Sequence, residues 1–162
     1  MPELFGFDAY SPQQIAERVE KVGVNKARLP FVSLLLLGML AGAFIGFGAI
    51  FSNLVASDAS LGFAFQRLLM GLTFSLGLVL VVVAGAELFT GNNLLVMAWA
   101  DGSISTSELL RNWLVVYVSN AVGAMGLALF VFWSHHGDMA GGNVGAQYVK
   151  IAAAKNAMPF AE

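Results

Sequence analysis

Residues 84–93 read Ala84-Gly85-Ala86-Glu87-Leu88-Phe89-Thr90-Gly91-Asn92-Asn93, and they sit between two apolar runs. The stretch places an acid, a hydroxyl, two glycines and two amides where the flanks read as membrane-spanning. Lipid cannot hydrogen-bond a backbone, so a chain interrupted at that depth is tolerated only inside protein or beside a watery cavity. An interrupted helix at the midplane is what a permeation pathway needs.

Composition agrees with a membrane setting. Of 162 residues, 58% are hydrophobic and only 11% are charged, whereas soluble domains carry about 25% charged residues. Mean hydropathy is +0.77. The formal net charge of −2 is less informative than its distribution, and the absence of cysteine excludes disulfides, a thiolate metal site and a cysteine nucleophile. The start Met1-Pro2-Glu3-Leu4 does not read as a signal peptide, and the first apolar run is too long for one. Insertion is expected to rely on the first spanning helix.

Working outward, an apolar segment from about Phe63 to Val83 precedes the decisive stretch, and Leu94 to Ala100 follows it. An unbroken helix from Leu68 to Ala100 would be ~50 Å long, too long for one ordinary crossing. Two half-helices of ~24 and ~10 Å separated by a loop fit one crossing of the ~30 Å hydrocarbon core. Leu29 to Ala56 is the first expected span, with Gly38, Gly42 and Gly46 four apart on one face. Such a strip lets another helix backbone come close, although the strip does not identify its partner. Asp101 to Ser107 reads as a turn with Ser105 or Ser107 as a helix cap, and Glu108 to Trp133 is the third expected span. Within it Asn120 reads as interhelical glue or as a pore-lining group. Trp113 and Trp133 lie near its two ends, as in an interfacial belt.

The flanks are shorter. Residues 1–10 read as an irregular cap. Ser11-Pro12-Gln13-Gln14 carries a capping box with proline at the first helical position. Ile15, Val19 and Val22 recur at helical spacing with Arg18 and Lys21 between them. The result is an amphipathic surface helix, with a pore-plugging gate as the rival reading. Ser134 to Val149 reads as a polar loop, Lys150 to Ala157 as a short helix, and Pro159 as the lead into a further segment. The domain plan is therefore a cytoplasmic N-terminus over 1–28 and a membrane part over 29–162. The spans fall at about 29–56, 63–100 (broken) and 108–133, with an outer loop at 134–162. Arg18, Lys21, Lys26 and Arg28 all precede the first span, which puts the N-terminus in the cytoplasm by the positive-inside rule.

Few side chains could carry chemistry. The Thr90 hydroxyl both donates and accepts, so it can serve an anion or a neutral acid. Leu88 and Phe89 can form an apolar constriction. Phe74 and Leu78, one helical turn apart, can form a second or simply pack. Glu87 is the one acid expected within the membrane, costly there and a functional candidate by default. The alternative is structural, with Glu87 accepting from loop N–H groups between Gly85 and Gly91. Lys155 either attracts anions at a pore mouth or is a solvated lysine. His135-His136 point ~100° apart on a helix and read as a satisfied or solvated pair rather than a metal or haem site. No nucleophile–base pair, phosphate loop or nucleic-acid patch is present. The expectation is a protein that is not an enzyme, with no cofactor, no metal and no nucleic-acid partner.

The run Val82-Val83-Ala84-Gly85-Ala86-Glu87-Leu88-Phe89-Thr90-Gly91 resembles the signature of the formate/nitrite transporter family. Asn112-Trp113, Asn120-Ala121-Val122-Gly123-Ala124 and Ala154-Lys155 resemble that family's third helix and following loop. The resemblance implies an all-α membrane protein with an aquaporin-like bundle of six helices per subunit, built from an inverted repeat with a broken second helix; three of the six spans are present here. It implies a homopentamer in lipid, in the cytoplasmic membrane, with a pore in each subunit passing small monovalent anions such as formate, nitrite or hydrosulfide. Thr90 matches the pore threonine that faces the family's central histidine. Phe74, Leu78, Leu88 and Phe89 match the constrictions, and Lys155 matches the lysine that draws anions to the outer vestibule. That histidine lies in the family's second half. The chain ending at Glu162 is therefore expected to be a fragment or truncated product, non-conducting alone, with its glycine strip and its break lacking partners. Formate ranks first because residues Asp8 to Pro30 look like the formate branch. A water or glycerol channel on the same fold, and a haem-binding membrane anchor subunit using His135 or His136, are the other readings.

Overall fold

The computed structural model describes residues 10–158. The readings for residues 1–9 and for Pro159 lie outside those residues. Helix α1 (Pro12–Ala27) starts as its cap chemistry dictates: Ser11 Oγ accepts from the Gln14 N–H and Gln14 Oε1 accepts from the Ser11 N–H. Helices α2 (Phe31–Ala56), α3 (Phe63–Ala84) and α6 (Thr106–Trp133) are long and apolar enough to cross a membrane. Two short pieces, α4 (Phe89–Asn92) and α5 (Leu95–Ala100), lie between α3 and α6. After α6 come a tight segment, His136–Gly142, and α7 (Asn143–Asn156). The molecule is an all-helical integral membrane protein with a broken second spanning helix.

The α2 glycine strip has its partner inside this chain, contrary to the expectation that it would lack one. A methyl group on Gly38 would run into Ser119, on Gly42 into the Asn120 carbonyl, and on Gly46 into Leu127, all on α6. Gly123 of α6 answers by abutting Met39 of α2. The reciprocal fit arises because both helices carry small residues at the crossing, and close backbone approach maximises dispersion contact where the hydrophobic effect is absent. On its other side α2 packs against α3, with Gly48 and Gly77 lying backbone to backbone.

Two further differences have local causes. Helix α3 has 22 residues, which makes it ~33 Å long. It can cross the hydrocarbon core by itself, so the break follows a full-length helix rather than splitting a crossing into short halves. The start at Phe63 is the expected one, and Gln66 fixes it: its Nε2 donates to the Val55, Ala56 and Asp58 carbonyls, so α3 begins against the end of α2. Helix α7 begins at Asn143, ahead of the expected Lys150. Gly141 and Gly142 take left-handed conformations there (φ 65° and 90°) and turn the chain into the new helix.

At the end of the bundle where α1 joins α2, Ala27, Leu95, Ala98, Ile104 and Leu109 form one buried cluster. It fastens α1 to α5 and to the start of α6. Ser105 rather than Ser107 caps α6, in a reciprocal bond with Glu108. The lateral faces of α3 and α6 remain apolar and open, with Val83 81% and Phe132 76% exposed.

Candidate functional site

Helix α3 ends at Gly85, whose φ of 64° and ψ of 31° are left-handed. A side chain there would be strained whatever the space around it. The Ala86 N–H reaches back to the Val81 carbonyl at 3.0 Å, closing the helix end in the usual glycine manner. Glu87 and Leu88 then run outside any helix until α4 begins. Backbone groups freed inside a bundle need other partners. The Glu87 N–H donates to the Leu37 carbonyl of α2 at 3.2 Å. Asn120 of α6 serves the rest. Its Oδ1 accepts from the Phe89 N–H at 2.9 Å, and its Nδ2 donates to the Glu87 carbonyl at 2.9 Å and the Gly38 carbonyl at 2.8 Å. Of the two roles open to Asn120, these bonds are those of interhelical glue.

The Glu87 side chain is 3% exposed. A lone carboxylate at that burial would be prohibitive, and it is not alone. Lys26 Nζ, from the last turn of α1, lies 2.9 Å from Glu87 Oε1. Asn92 Nδ2 donates to Glu87 Oε2 at 2.7 Å and to Asn112 Oδ1 at 2.9 Å, while Asn92 Oδ1 accepts from Lys26 at 3.1 Å. Asn112 Nδ2 donates to the Lys26 carbonyl and Trp113 Nε1 to the Asn92 carbonyl. The carboxylate's partners are thus a lysine and a side-chain amide, not the loop N–H groups expected from sequence. The backbone N–H groups point to other acceptors, leaving the charge to be matched by a cation. Arg111 adds donations to the Ala27 and Leu29 carbonyls, and Arg28 pairs with Glu108 at 3.3 Å. The α1–α2 junction is therefore clamped from both sides.

Trp113 belongs to this site rather than to an interfacial belt. Besides its bond to Asn92, its ring meets Phe89 edge-on at 6.4 Å, and Tyr117 also meets Phe89 edge-on at 5.3 Å. Leu88 packs onto the buried cluster of Ala41, Val81 and Ala86. Both apolar residues of the break are therefore held in place. Thr90 and Gly91 are exposed on the single turn of α4. Phe74 and Leu78 are exposed on α3, ~15 and ~9 Å along the axis before its end, and are not gathered with Leu88 and Phe89. Lys155 is exposed in the last turn of α7.

The histidines have ordinary partners. His136 Nδ1 lies 3.2 Å from the Tyr148 hydroxyl, and His135 Nδ1 lies 3.2 Å from Asp138. Burial pushes the Tyr148 phenol up. Among the described residues no group of three or more His, Cys, Asp or Glu could hold a metal ion. The side chains that sequence reasoning passed over are Lys26, Arg111 and the hub role of Asn92. One signal was available: a buried acid demands a base, and Lys26, Arg28 and Arg111 are the basic residues flanking the spans at that end. Chemically, the site neutralises its own charge and presents one hydroxyl-bearing residue beside anchored apolar side chains.

Comparisons with known proteins bear on the chain as a whole. A family model described as formate/nitrite transporter matches residues 13–162. The formate channel FocA of Escherichia coli (strain K12) is 36% identical over 147 residues, covering 90% of this chain and 52% of that protein. The uncharacterized transporter YrhG of Bacillus subtilis (strain 168) is 43% identical over 121 residues, covering 74% and 46%. A solved structure of an FNT family ion channel matches with a TM-score of 0.69 at 28% identity, covering 76% of this chain and 50% of its own. The chain spans about half the length of the curated relatives it matches.

Proposed function

This chain belongs to the formate/nitrite transporter family, and from that premise we propose that it forms one wall of a narrow pore for small monovalent anions, formate foremost and nitrite as well. The family is one of transporters and channels, not enzymes. The observation that carries the reading is the Gly85–Leu88 break. The Glu87 N–H and carbonyl and the Phe89 N–H are served by Leu37 and Asn120 instead of by their own helix, and Thr90 beside them is exposed. A segment so arranged in a lipid-facing bundle is tolerated where it lines a cavity.

In the proposed mechanism Lys155 raises the anion concentration at the outer mouth. The anion sheds water and reaches Thr90, which can hydrogen-bond either the anion or its acid. Protonation, by the central histidine that the family resemblance implies for the complete pore, yields a neutral acid. That acid passes Leu88 and Phe89, and the second apolar ring of Phe74 and Leu78, far more cheaply than a bare charge. Glu87, neutralised by Lys26, shapes the break without repelling the anion, and Gly85 and Gly91 supply its turns. The reading includes a homopentamer in the cytoplasmic membrane with the N-terminus inside. Orientation is supported by Lys26, Arg28 and Arg111 gathering at the α1–α2 end, as the positive-inside rule favours.

The test is flux of radiolabelled formate into liposomes carrying the full-length protein. Thr90→Ala is expected to lower flux about tenfold, the kinetic equivalent of one hydrogen bond of ~1.4 kcal/mol. Unchanged flux and unchanged selectivity would remove Thr90 from the pathway.

A further inference from the structure

Asn120 stands at the centre of the α2–α6 crossing, and its three hydrogen bonds do unequal work. The bond to the Gly38 carbonyl ties it to α2. The other two grip the main chain on either side of Leu88: the Glu87 carbonyl before it and the Phe89 N–H after it. A single amide thus acts as a template for one residue of extended backbone, the residue at which α3 gives way to α4. Leu88 itself has φ −98° and ψ 129°, the extended angles usual for a residue that caps a helix N-terminus, and the two bonds flank it. The asparagine carboxamide offers a donor and an acceptor in one plane. Its reach depends on Gly38 and Gly42, where any side chain would push α6 away.

We propose that Asn120 is a positioning residue for selectivity, fixing Leu88-Phe89-Thr90 so that the apolar constriction and the threonine hydroxyl keep a set distance from one another. The inference rests on the transport reading. The amide touches no permeant; it acts through the main chain of Glu87 and Phe89. With it absent, the Phe89 N–H loses its acceptor and the Glu87 carbonyl its donor; the turn carrying Thr90 keeps the Asn92 N–H bond to the Leu88 carbonyl, the Asn93 N–H bond to the Phe89 carbonyl and the contacts of Phe89 to Trp113 and Tyr117, a looser seat against Leu88. Selection by size then relaxes before the fold is lost.

The experiment compares the full-length protein with Asn120→Ala, Asn120→Asp and Ser119→Ala. Ser119 is buried in the same crossing, against Gly38, but bonds only to Val116 of its own helix, so its replacement reports generic loosening. Two quantities are read: the formate-to-acetate permeability ratio in liposomes, and hydrogen exchange of the Phe89 amide. Asn120→Ala is expected to lower the ratio about fivefold and to speed Phe89 exchange about fivefold or more, the loss of roughly one hydrogen bond. Asn120→Asp is nearly isosteric and keeps the acceptor for Phe89 but not the donations. It is expected to lower the ratio while Phe89 exchange stays slow; Asn120→Ser, which introduces no charge, serves where the alanine variant fails to fold and is expected to lower the ratio as the alanine does. A ratio that moves equally in Ser119→Ala, or Phe89 exchange unmoved in Asn120→Ala, overturns the proposal. Absence of formate flux in the unsubstituted protein overturns the transport reading and the selectivity role with it, whereas flux with an unmoved ratio overturns the role of Asn120 alone.

Discussion

The helical path of this chain is interrupted by left-handed residues both at Gly85 and across His135–Gly142, and the two places are built differently. At Gly85 the interruption lies inside the bundle. Its backbone is served by α2 and α6, and its one acid by α1 and by Asn92. Across His135–Gly142 the chain is largely exposed, held by His136–Tyr148 and an exposed His135–Asp138 pair. An interruption that water can solvate needs little help. A buried one must be supplied with partners from elsewhere in the fold, and it becomes rigid as a consequence.

The sharpest way to break this contrast is to remove the cation from the buried site. Lys26→Ala leaves the Glu87 carboxylate buried and unpaired. It is expected to destabilise the protein by about 3 kcal/mol, the low end for a buried pair, because Lys26 keeps 28% exposure. Denaturant unfolding in detergent measures this. Adding Glu87→Gln to Lys26→Ala should restore part of the loss, and a double variant as unstable as the single one would contradict a charge-pair origin.

A smaller effect is expected from Gly85→Ala. Nothing lies near its missing Cβ, so the cost is backbone strain alone, about 1–2 kcal/mol for a left-handed residue with a side chain. The same unfolding measurement should find it below the Lys26→Ala loss. A neutral outcome would mean that the backbone at Gly85 relaxes out of the left-handed region. The smallest effect belongs to the outer interruption. Tyr148→Phe removes the hydroxyl that meets His136 and should cost about 1 kcal/mol or less. A loss matching that of Lys26→Ala would erase the distinction between the two interruptions.

Much of the fold was legible before any coordinates. The apolar runs ending at Ala56, Val83 and Trp133 lie within a residue or so of the helix ends, because desolvation is summed over a local window. The Ser11 capping box was legible for the same reason, acting within three residues, and the α6 cap was narrowed to Ser105 or Ser107, of which the fold uses Ser105. Position 85 announced itself through glycine beside polar residues. Trp113 misled because an aromatic near a helix end suits an interface, and nothing local reveals that its indole reaches the Asn92 carbonyl. The Asn143 start of α7 was missed because a run of glycine and polar residues reads as loop until tertiary packing makes it helical.

What the sequence determined unaided is the set of three apolar helices, their caps and the place where the second helix breaks. These follow from residue chemistry acting over a few neighbours. What the tertiary structure alone decided is how the break is held: Lys26 meeting Asn92 across 66 positions, and Asn120 meeting Gly38 across 82. Such pairings depend on where helices cross. Crossings are set by the mutual fit of the small-residue faces of α2 and α6, a property of two surfaces together and of neither helix alone.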